Sequence, residues 1–388
     1  MHSYFRALAG GAAISAALVL TAAAAPQARY SARQIADVVQ LRDTGTDTTV
    51  SVLTTMSNAY EMVVKGQNVI RVPFATLDDF RSRPSLNGIP LLAPFANRLD
   101  EQAFYANGVK YRFDMELGNV RGAIPIHGYL SAAKDWTVLE AKADAGAAWV
   151  TSKLDFYRNP MWMKQFPFAH TIEMTYRLQD GVLEVRTRVD NLSTQPMPLA
   201  IGFHPYFQLT DSIREEWKVS VGARAHWLLA PNKIPTGEIE PIQKLFPDPR
   251  AVALKDVDLD HVFGDLERDG QGRAVVSVTG KSQQLDVLLG PNYRAVVLYS
   301  PNPANARGGG AGRGQTAPAT PPVATAAPAV QLTGAPNTVS NRGFIAIEPM
   351  VGITNSMNLA HKGLYKELQS VPPAGTWQES FWLRPRGF

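Results

Sequence analysis

The 388-residue sequence contains no cysteine. A disulfide framework, a thiolate metal site, a cysteine nucleophile and a lipidated-cysteine anchor are therefore excluded. Histidine is sparse, and the seven present show no paired metal-ligand spacing, so no metal or other cofactor is expected. Neither a phosphate-cradling glycine loop ahead of a helix nor a Gly-x-Ser-x-Gly elbow occurs. The run GGGAGRG lies in low-complexity sequence with no helix after it and carries no nucleotide role. Positive charge exceeds negative by only 4 and is spread along the chain, with no Lys/Arg run interleaved with aromatics. No nucleic-acid partner is expected from that pattern.

Long apolar runs are also missing, apart from residues 7–25 behind a single basic residue, Arg6. That run is short for a spanning helix, which needs about 20 residues, and it ends in small side chains of the Ala-x-Ala type. A signal peptide over residues 1–25 is the expectation, with an N-terminal membrane anchor as the alternative. Pro26 directly after Ala25 disfavours that cut, and sites after Ala24 or Ala28 carry equal weight. The expected product is exported, periplasmic or secreted, with no stable membrane insertion after cleavage. Absence of cysteine does not conflict with export, since oxidising compartments permit disulfides without requiring them.

What the chain does have is strand patterning and enough apolar residues, 45%, to bury a sizeable core. In TIEMTYRL, Ile172, Met174, Tyr176 and Leu178 alternate with polar residues; in VLEVRTRV, Leu183, Val185 and Val189 do so. Asp180-Gly181 between them predicts a tight antiparallel hairpin with one buried and one wet face. WTVLEAKA, AAWVTSKLDF, WKVSVGARAHWLL, AVVSVTG, QLDVLLG, AVVLYS and FIAIEP read as further strands between Gly, Pro, Asn and Asp clusters. Helical patterning is scarce, with one short turn expected at TLDDFRS, where Thr76 and Asp79 have capping-box spacing. Many short strands without alternating helices predict an all-β fold, a large antiparallel β-sandwich, as one domain over residues 26–388. Residues 302–341 change to Gly, Ala, Pro and Thr and cannot bury enough apolar surface to order themselves. They are expected to form a disordered insertion between AVVLYS and FIAIEP, which the fold tolerates because loop-closure cost grows slowly with length.

Chemistry-bearing residues fall in five stretches: GIPLLAPFANRL with Asn97 and Arg98, IPIHGY with His127, GFHPYF with His204, DLDHVF with Asp260, and IAIEPMVGITNSMN with Glu348. Two aromatics and a proline frame His204 where a strand gives way to a loop; it reads as a proton donor or as a core histidine satisfied by backbone. Glu348, after the apolar residues 344–347, is placed at a strand end, as a catalytic or merely solvated carboxylate. A carboxylate and an imidazole are the groups that cycle between protonation states near neutral pH when a site tunes them. Arg98 ends an apolar run and offers a rigid fork of donors, either to hydroxyls or to a surface ion pair. His127 precedes Gly128, where the missing side chain lets a ligand approach the backbone. Trp136 and Trp162 are candidates for stacking on the face of a ligand ring. Core packing is the alternative for Trp136, and a pocket-edge role stays open for Trp162, in a segment read as irregular.

In this order the five stretches resemble the aldose 1-epimerase (galactose mutarotase) family, over nearly the whole chain from about Val38, the insertion apart. The resemblance implies a supersandwich of β-sheets that interconverts the α and β anomers of a free aldose, an aldohexose foremost, without metal, nucleotide or covalent intermediate. It implies that Glu348 is the general base and His204 the general acid, with Tyr206 and Phe207 buttressing the imidazole. Arg98, Asn97 and His127 are then substrate-binding, and Asp260 accepts hydrogen bonds from sugar hydroxyls. Asp258 is the second choice for that last role, Asp256 a decoy, and His261 structural. The Glu-Pro-Met form around Glu348 is closer to the broader aldose 1-epimerase group than to galactose mutarotases proper. Alternatives are a non-catalytic carbohydrate-binding protein, a hexose-phosphate epimerase, which needs extra cations converging on a phosphate, and a glycoside hydrolase using Asp260 and Glu348 as its acidic pair.

Overall fold

The computed structural model describes residues 28–74, 76–82, 86–255, 257–302 and 343–388. The expected signal peptide, the expected insertion from residue 303 on and Asp256 lie outside the described residues. Antiparallel sheets dominate, as the alternation predicts. A nine-stranded sheet runs, in spatial order, through Thr137–Ala143, Ala148–Leu154, His170–Gln179, Val182–Asn191, Thr376–Arg386, Gln284–Leu289, Ala274–Thr279, Lys218–Val221 and Val252–Ala253. An eight-stranded sheet runs through Pro235–Pro241, Ala223–Leu229, Leu259–Leu266, Ala295–Ser300, Ile345–Met350, Gly202–Phe203 and Leu91–Leu92, with Tyr206–Phe207 also paired to Ile345–Met350. A five-stranded meander, from Tyr30–Ile35 to Gln67–Asn68, packs at one end. It is tied to the large sheet where the Tyr176 hydroxyl donates to the Ser57 carbonyl at 2.8 Å.

The hairpin forms as its sequence dictates. Asp180 and Gly181 take φ of 49° and 72°, the two left-handed positions of a type I′ turn, whose twist matches that of the flanking strands. Gln179 pairs with Val182 and the register holds to His170 and Asn191. Ile172, Met174, Tyr176, Leu178, Leu183, Val185 and Val189 are all at most 1% exposed.

Three expectations change. WKVSVGARAHWLL is not one strand: Lys218–Val221 belongs to the nine-stranded sheet and Ala223–Leu229 to the eight-stranded one. The chain crosses at Gly222, where a Cβ would sit 2.5 Å from the Val275 carbonyl oxygen, so a side chain there would block the crossing. The segment around Trp162 is not irregular but a helix, Pro160–Gln165, started by Asn159, whose side chain accepts from the Met161 and Trp162 amides at 3.1 and 3.2 Å. A further helix, Ser356–His361, also went unpredicted. The expected helix is present at Leu77–Ser82, with the Thr76 hydroxyl accepting from the Asp79 amide at 3.2 Å.

The eight-stranded sheet has two unlike faces. Phe263, Val296, Leu298, Ile345, Ile347 and Phe203 point into the main core shared with the other sheets. On the opposite face Val262 pairs with Val297 and Val297 with Glu348. Two residues along, Asp260 pairs with Tyr299, and Tyr299 and Tyr206 both pair with Ala346. Because side chains alternate along a strand and directly paired residues share a face, Asp260, Tyr299, Tyr206 and Glu348 all project from this second face.

Candidate active site

Glu348 sits inside the strand Ile345–Met350, not at its end as the sequence suggests; the chain continues in register through Pro349, paired with Val296. On its other side the neighbouring chain is interrupted. Gly202 pairs with Met350 and Tyr206 with Ala346, so continuing that register puts His204 directly opposite Glu348. The ladder is missing there because Pro205 has no N–H and the His204 amide donates to the Pro90 carbonyl at 3.3 Å. The gap lets the imidazole face the carboxyl.

Nε2 of His204 lies 3.1 Å from Oε1 of Glu348. Both residues are sealed, at 6% and 1% exposure, and neither Nδ1 of His204 nor Oε2 of Glu348 has a hydrogen-bond partner among the described residues. Burial pushes the Glu348 carboxyl well above the ordinary range, the charge of Asp260 adding to the rise and Arg98 opposing it. Burial likewise pulls His204 down to about 4, opposed by its own backbone and helped by Arg98. Both directions favour the uncharged forms, a carboxylic acid and a neutral imidazole sharing one proton. The atoms left without partners are hydrogen-bonding capacity that the fold itself does not use.

The remaining predicted residues converge on this pair. The Asn97 amide donates to Nδ1 of His127 at 3.2 Å; since a backbone N–H only donates, the ring proton resides on Nε2, which is left as a donor. The His127 and His204 rings meet edge to face at 5.2 Å, and burial, then His204 and Arg98, hold His127 neutral. Arg98 is 7% exposed and donates to the Asn97 side-chain oxygen at 2.9 Å. It has no carboxylate within ion-pair distance among the described residues, so the surface-ion-pair alternative fails. Burial works against its charge, offset chiefly by Asp260. The Asp260 side chain is 26% exposed, with Lys233 Nζ 3.8 Å away.

Asn97, His127 and Gly128 all take left-handed φ, of 56°, 60° and 58°. At Gly128 the close neighbour is protein, not ligand as the sequence reading supposed: a Cβ would stand 2.1 Å from the Ala93 carbonyl oxygen. Its role is to let residues 93–98 and 126–128 pack together, which orients His127.

Tyr206 stacks on His204 at 4.7 Å and 29°, buttressing it as expected, while Phe207 is fully buried in the core. His261 faces the opposite side of the sheet, its Nδ1 3.1 Å from Nε2 of His226. Asp258 is exposed, with one oxygen accepting from the Asn302 amide at 3.0 Å. Trp136 and Trp162 are each 7% exposed within the main core; Trp162 also lines a surface pocket with Asp135, Lys153 and Arg158, whose lining includes neither Glu348 nor His204. The sequence reading missed Tyr299, Phe344 and Arg71. Tyr299 lies 6.4 Å from the His204 ring, and Phe344 lies 5.3 Å from Tyr206. The alternation of AVVLYS against DLDHVF was the available signal for Tyr299; the other two had none.

Comparisons with known proteins agree with this fold. The fold matches a galactose mutarotase-like protein from Clostridium acetobutylicum at a TM-score of 0.71 and 20% identity, over 92% of this chain and 98% of that one. A galactose 1-epimerase from Lactobacillus acidophilus gives a TM-score of 0.66 at 15% identity, over 92% and 98%. The GalM/aldose epimerase homologue from C. elegans gives 0.64 at 16%, over 88% and 96%. The sequence profile of the aldose 1-epimerase family matches residues 37–338. The chain belongs to the aldose 1-epimerase family.

Proposed function

We propose that this protein is a mutarotase that interconverts the anomers of a free aldose at Glu348 and His204. The observation that carries the reading is the buried 3.1 Å contact between them, with a polar atom on each side unpartnered. Ring opening needs a proton taken from the anomeric hydroxyl O1 and one given to the ring oxygen O5, while the C1–O5 bond breaks and C1=O1 forms. With the shared proton on His204, Glu348 removes the O1 proton and His204 protonates O5. The open-chain aldehyde turns about C1–C2. On reclosure O5 attacks the other face of C1, His204 takes back its proton and Glu348 returns one to O1. The pair keeps one proton and no net charge before and after, which suits a site that burial makes hostile to charge. Arg98, Asn97, His127 through Nε2–H, and Asp260 hold the hydroxyls in this reading. The names of the structural neighbours support sugar epimerisation without choosing the sugar.

The test is anomer exchange of freshly dissolved α-glucose and α-galactose by polarimetry or NMR, at a pH where the spontaneous reaction is slow. Acceleration that is lost in Glu348→Gln and His204→Asn supports the reading; no acceleration of any aldose sinks it. Release of new reducing ends from a glycoside would favour a hydrolase instead. We also propose that the protein acts outside the cytoplasm, on the strength of its N-terminal leader, and recovery of the full-length protein in the cytoplasm on fractionation would overturn that.

A further inference from the structure

Basic side chains outnumber carboxylates around the pair. Lys233 reaches Asp260 at 3.8 Å, but Arg71, Arg98 and Arg121 have no carboxylate within ion-pair distance among the described residues. Arg121 acts through space on Arg98, His127 and Tyr299. The acidic groups that face Tyr299 are Asp260, Asp258 and Glu348, and Glu348 is the one that burial keeps protonated.

Arg71 is the least explained of these cations. It is half-buried, its Nε is enclosed without a hydrogen-bond partner, and its guanidinium carbon lies 4.8 Å from the Phe344 ring centroid. Its backbone N–H donates to the Tyr206 carbonyl at 2.8 Å. A face-on aromatic compensates a guanidinium only in part, and a partly desolvated cation without a counter-charge is costly unless something supplies one. The contact order matters. Glu348 meets His204, His204 stacks on Tyr206 at 4.7 Å, Tyr206 meets Phe344 at 5.3 Å, and Phe344 lies under Arg71. In a pyranose the order is O1, C1, O5, C5 and then the exocyclic carbon. With Glu348 at O1 and His204 at O5, the next group outward, on the side of Tyr206 and Phe344, is the substituent on C5.

We infer that the aldose this site takes carries an oxyanion on its C5 substituent, a carboxylate or a phosphate, and that the Arg71 guanidinium receives it. The placement rests on the mutarotase reading for the direction of the ring. A planar fork of donors suits either oxyanion, and binding it would supply the counter-charge that Arg71 lacks.

The test measures binding and turnover separately. Binding of galacturonate, glucuronate, galactose 6-phosphate, galactose and glucose is titrated by calorimetry into Glu348→Gln, and anomer exchange of each is followed by NMR with the native protein, at low and high salt. The expected result is at least tenfold tighter binding and higher kcat/KM for an anionic sugar than for its neutral parent. That ratio should fall at least tenfold in Arg71→Gln, shrink with salt, and hold in Arg33→Gln, which removes an equal charge from the distant strand Tyr30–Ile35. Preference for the uronates identifies a carboxylate, and preference for the 6-phosphate a phosphate. Equal or tighter binding of the neutral sugars, or a ratio indifferent to Arg71→Gln, overturns the inference while leaving mutarotation standing. Anionic preference without exchange of any sugar upholds the anion site and overturns the mutarotase reading; no binding and no exchange overturns both.

Discussion

The eight-stranded sheet holds two histidine–glutamate contacts that look alike. His226 is paired directly with Glu240 in its ladder, and Nδ1 lies 3.1 Å from Oε1; His204 lies opposite Glu348, also at 3.1 Å. Their surroundings differ. Glu240 keeps 23% of its side chain exposed, and the second nitrogen of His226 is occupied by His261 at 3.1 Å. Glu348 is 1% exposed, and the far atom of each of its pair is left without a partner. The first pair is finished by the fold; the second is left incomplete. A contact distance alone therefore does not mark chemistry; what separates these two pairs is enclosure together with an unspent polar atom on both the acid and the base.

The sharpest way to break this comparison is to make the same change in both pairs. Glu348→Gln removes the proton-accepting group and should lower kcat for anomer exchange by about 10²–10⁴-fold, the usual weight of positioned acid–base catalysis, with sugar binding still measurable by calorimetry. Glu240→Gln should change it by less than about threefold. Comparable losses in the two would show that enclosure and the missing partners do not distinguish them.

Next in size is non-additivity. If one proton is passed within Glu348 and His204, removing either member disables both, as for residues that act as a unit. His204→Asn combined with Glu348→Gln should then be little slower than the worse single variant. Multiplication of the two effects in steady-state kinetics would mean that the groups work independently.

The pH profile sharpens the contrast further. A pair holding one proton fails when it gains a second or loses the first. With His204 pulled down to about 4 and Glu348 raised well above its ordinary range, log kcat/KM should stay flat through the normal histidine range. It should fall only as pH drops towards about 4, and again on the alkaline side once the shared proton is lost. These limbs belong to the pair and not to either residue. An acid limb centred near 6.5 would show a histidine titrating as if exposed.

How much of this was legible in the sequence depends on how local its cause is. The hairpin at residues 170–191 could be read because one side of each strand is buried and two adjacent residues set the turn. The site motifs could be read as residue types in order, yet their geometry could not. That His204 stands opposite Glu348 follows from a register passing through an interrupted ladder, and Pro349 disguised the strand as ending. Gly222 carries the chain from one sheet to the other with no break in the alternation around it. The helices at Pro160–Gln165 and Ser356–His361 are too short to show a period. Arg71 and Tyr299 matter through neighbours distant in sequence, which a lone residue in a strand does not announce.

The smallest expected effect runs opposite to the first. Completed hydrogen bonds stabilise a fold, by about 1 kcal/mol for a typical one and more for one to a charged group, while functional groups held without partners contribute little. His226→Asn breaks the chain from Glu240 to His261 and should lower stability by about 1–2 kcal/mol in urea unfolding near pH 7. Glu348→Gln replaces a carboxyl that burial keeps neutral with an amide of the same shape, and should cost less than that or even stabilise. Activity and stability would thus separate between the two pairs, one change abolishing exchange in a sturdy protein and the other weakening a protein that still works. If Glu348→Gln proved the more destabilising of the two, the Glu348–His204 contact would be holding the sheet together, and its claim to be the reacting pair would rest on kinetics alone.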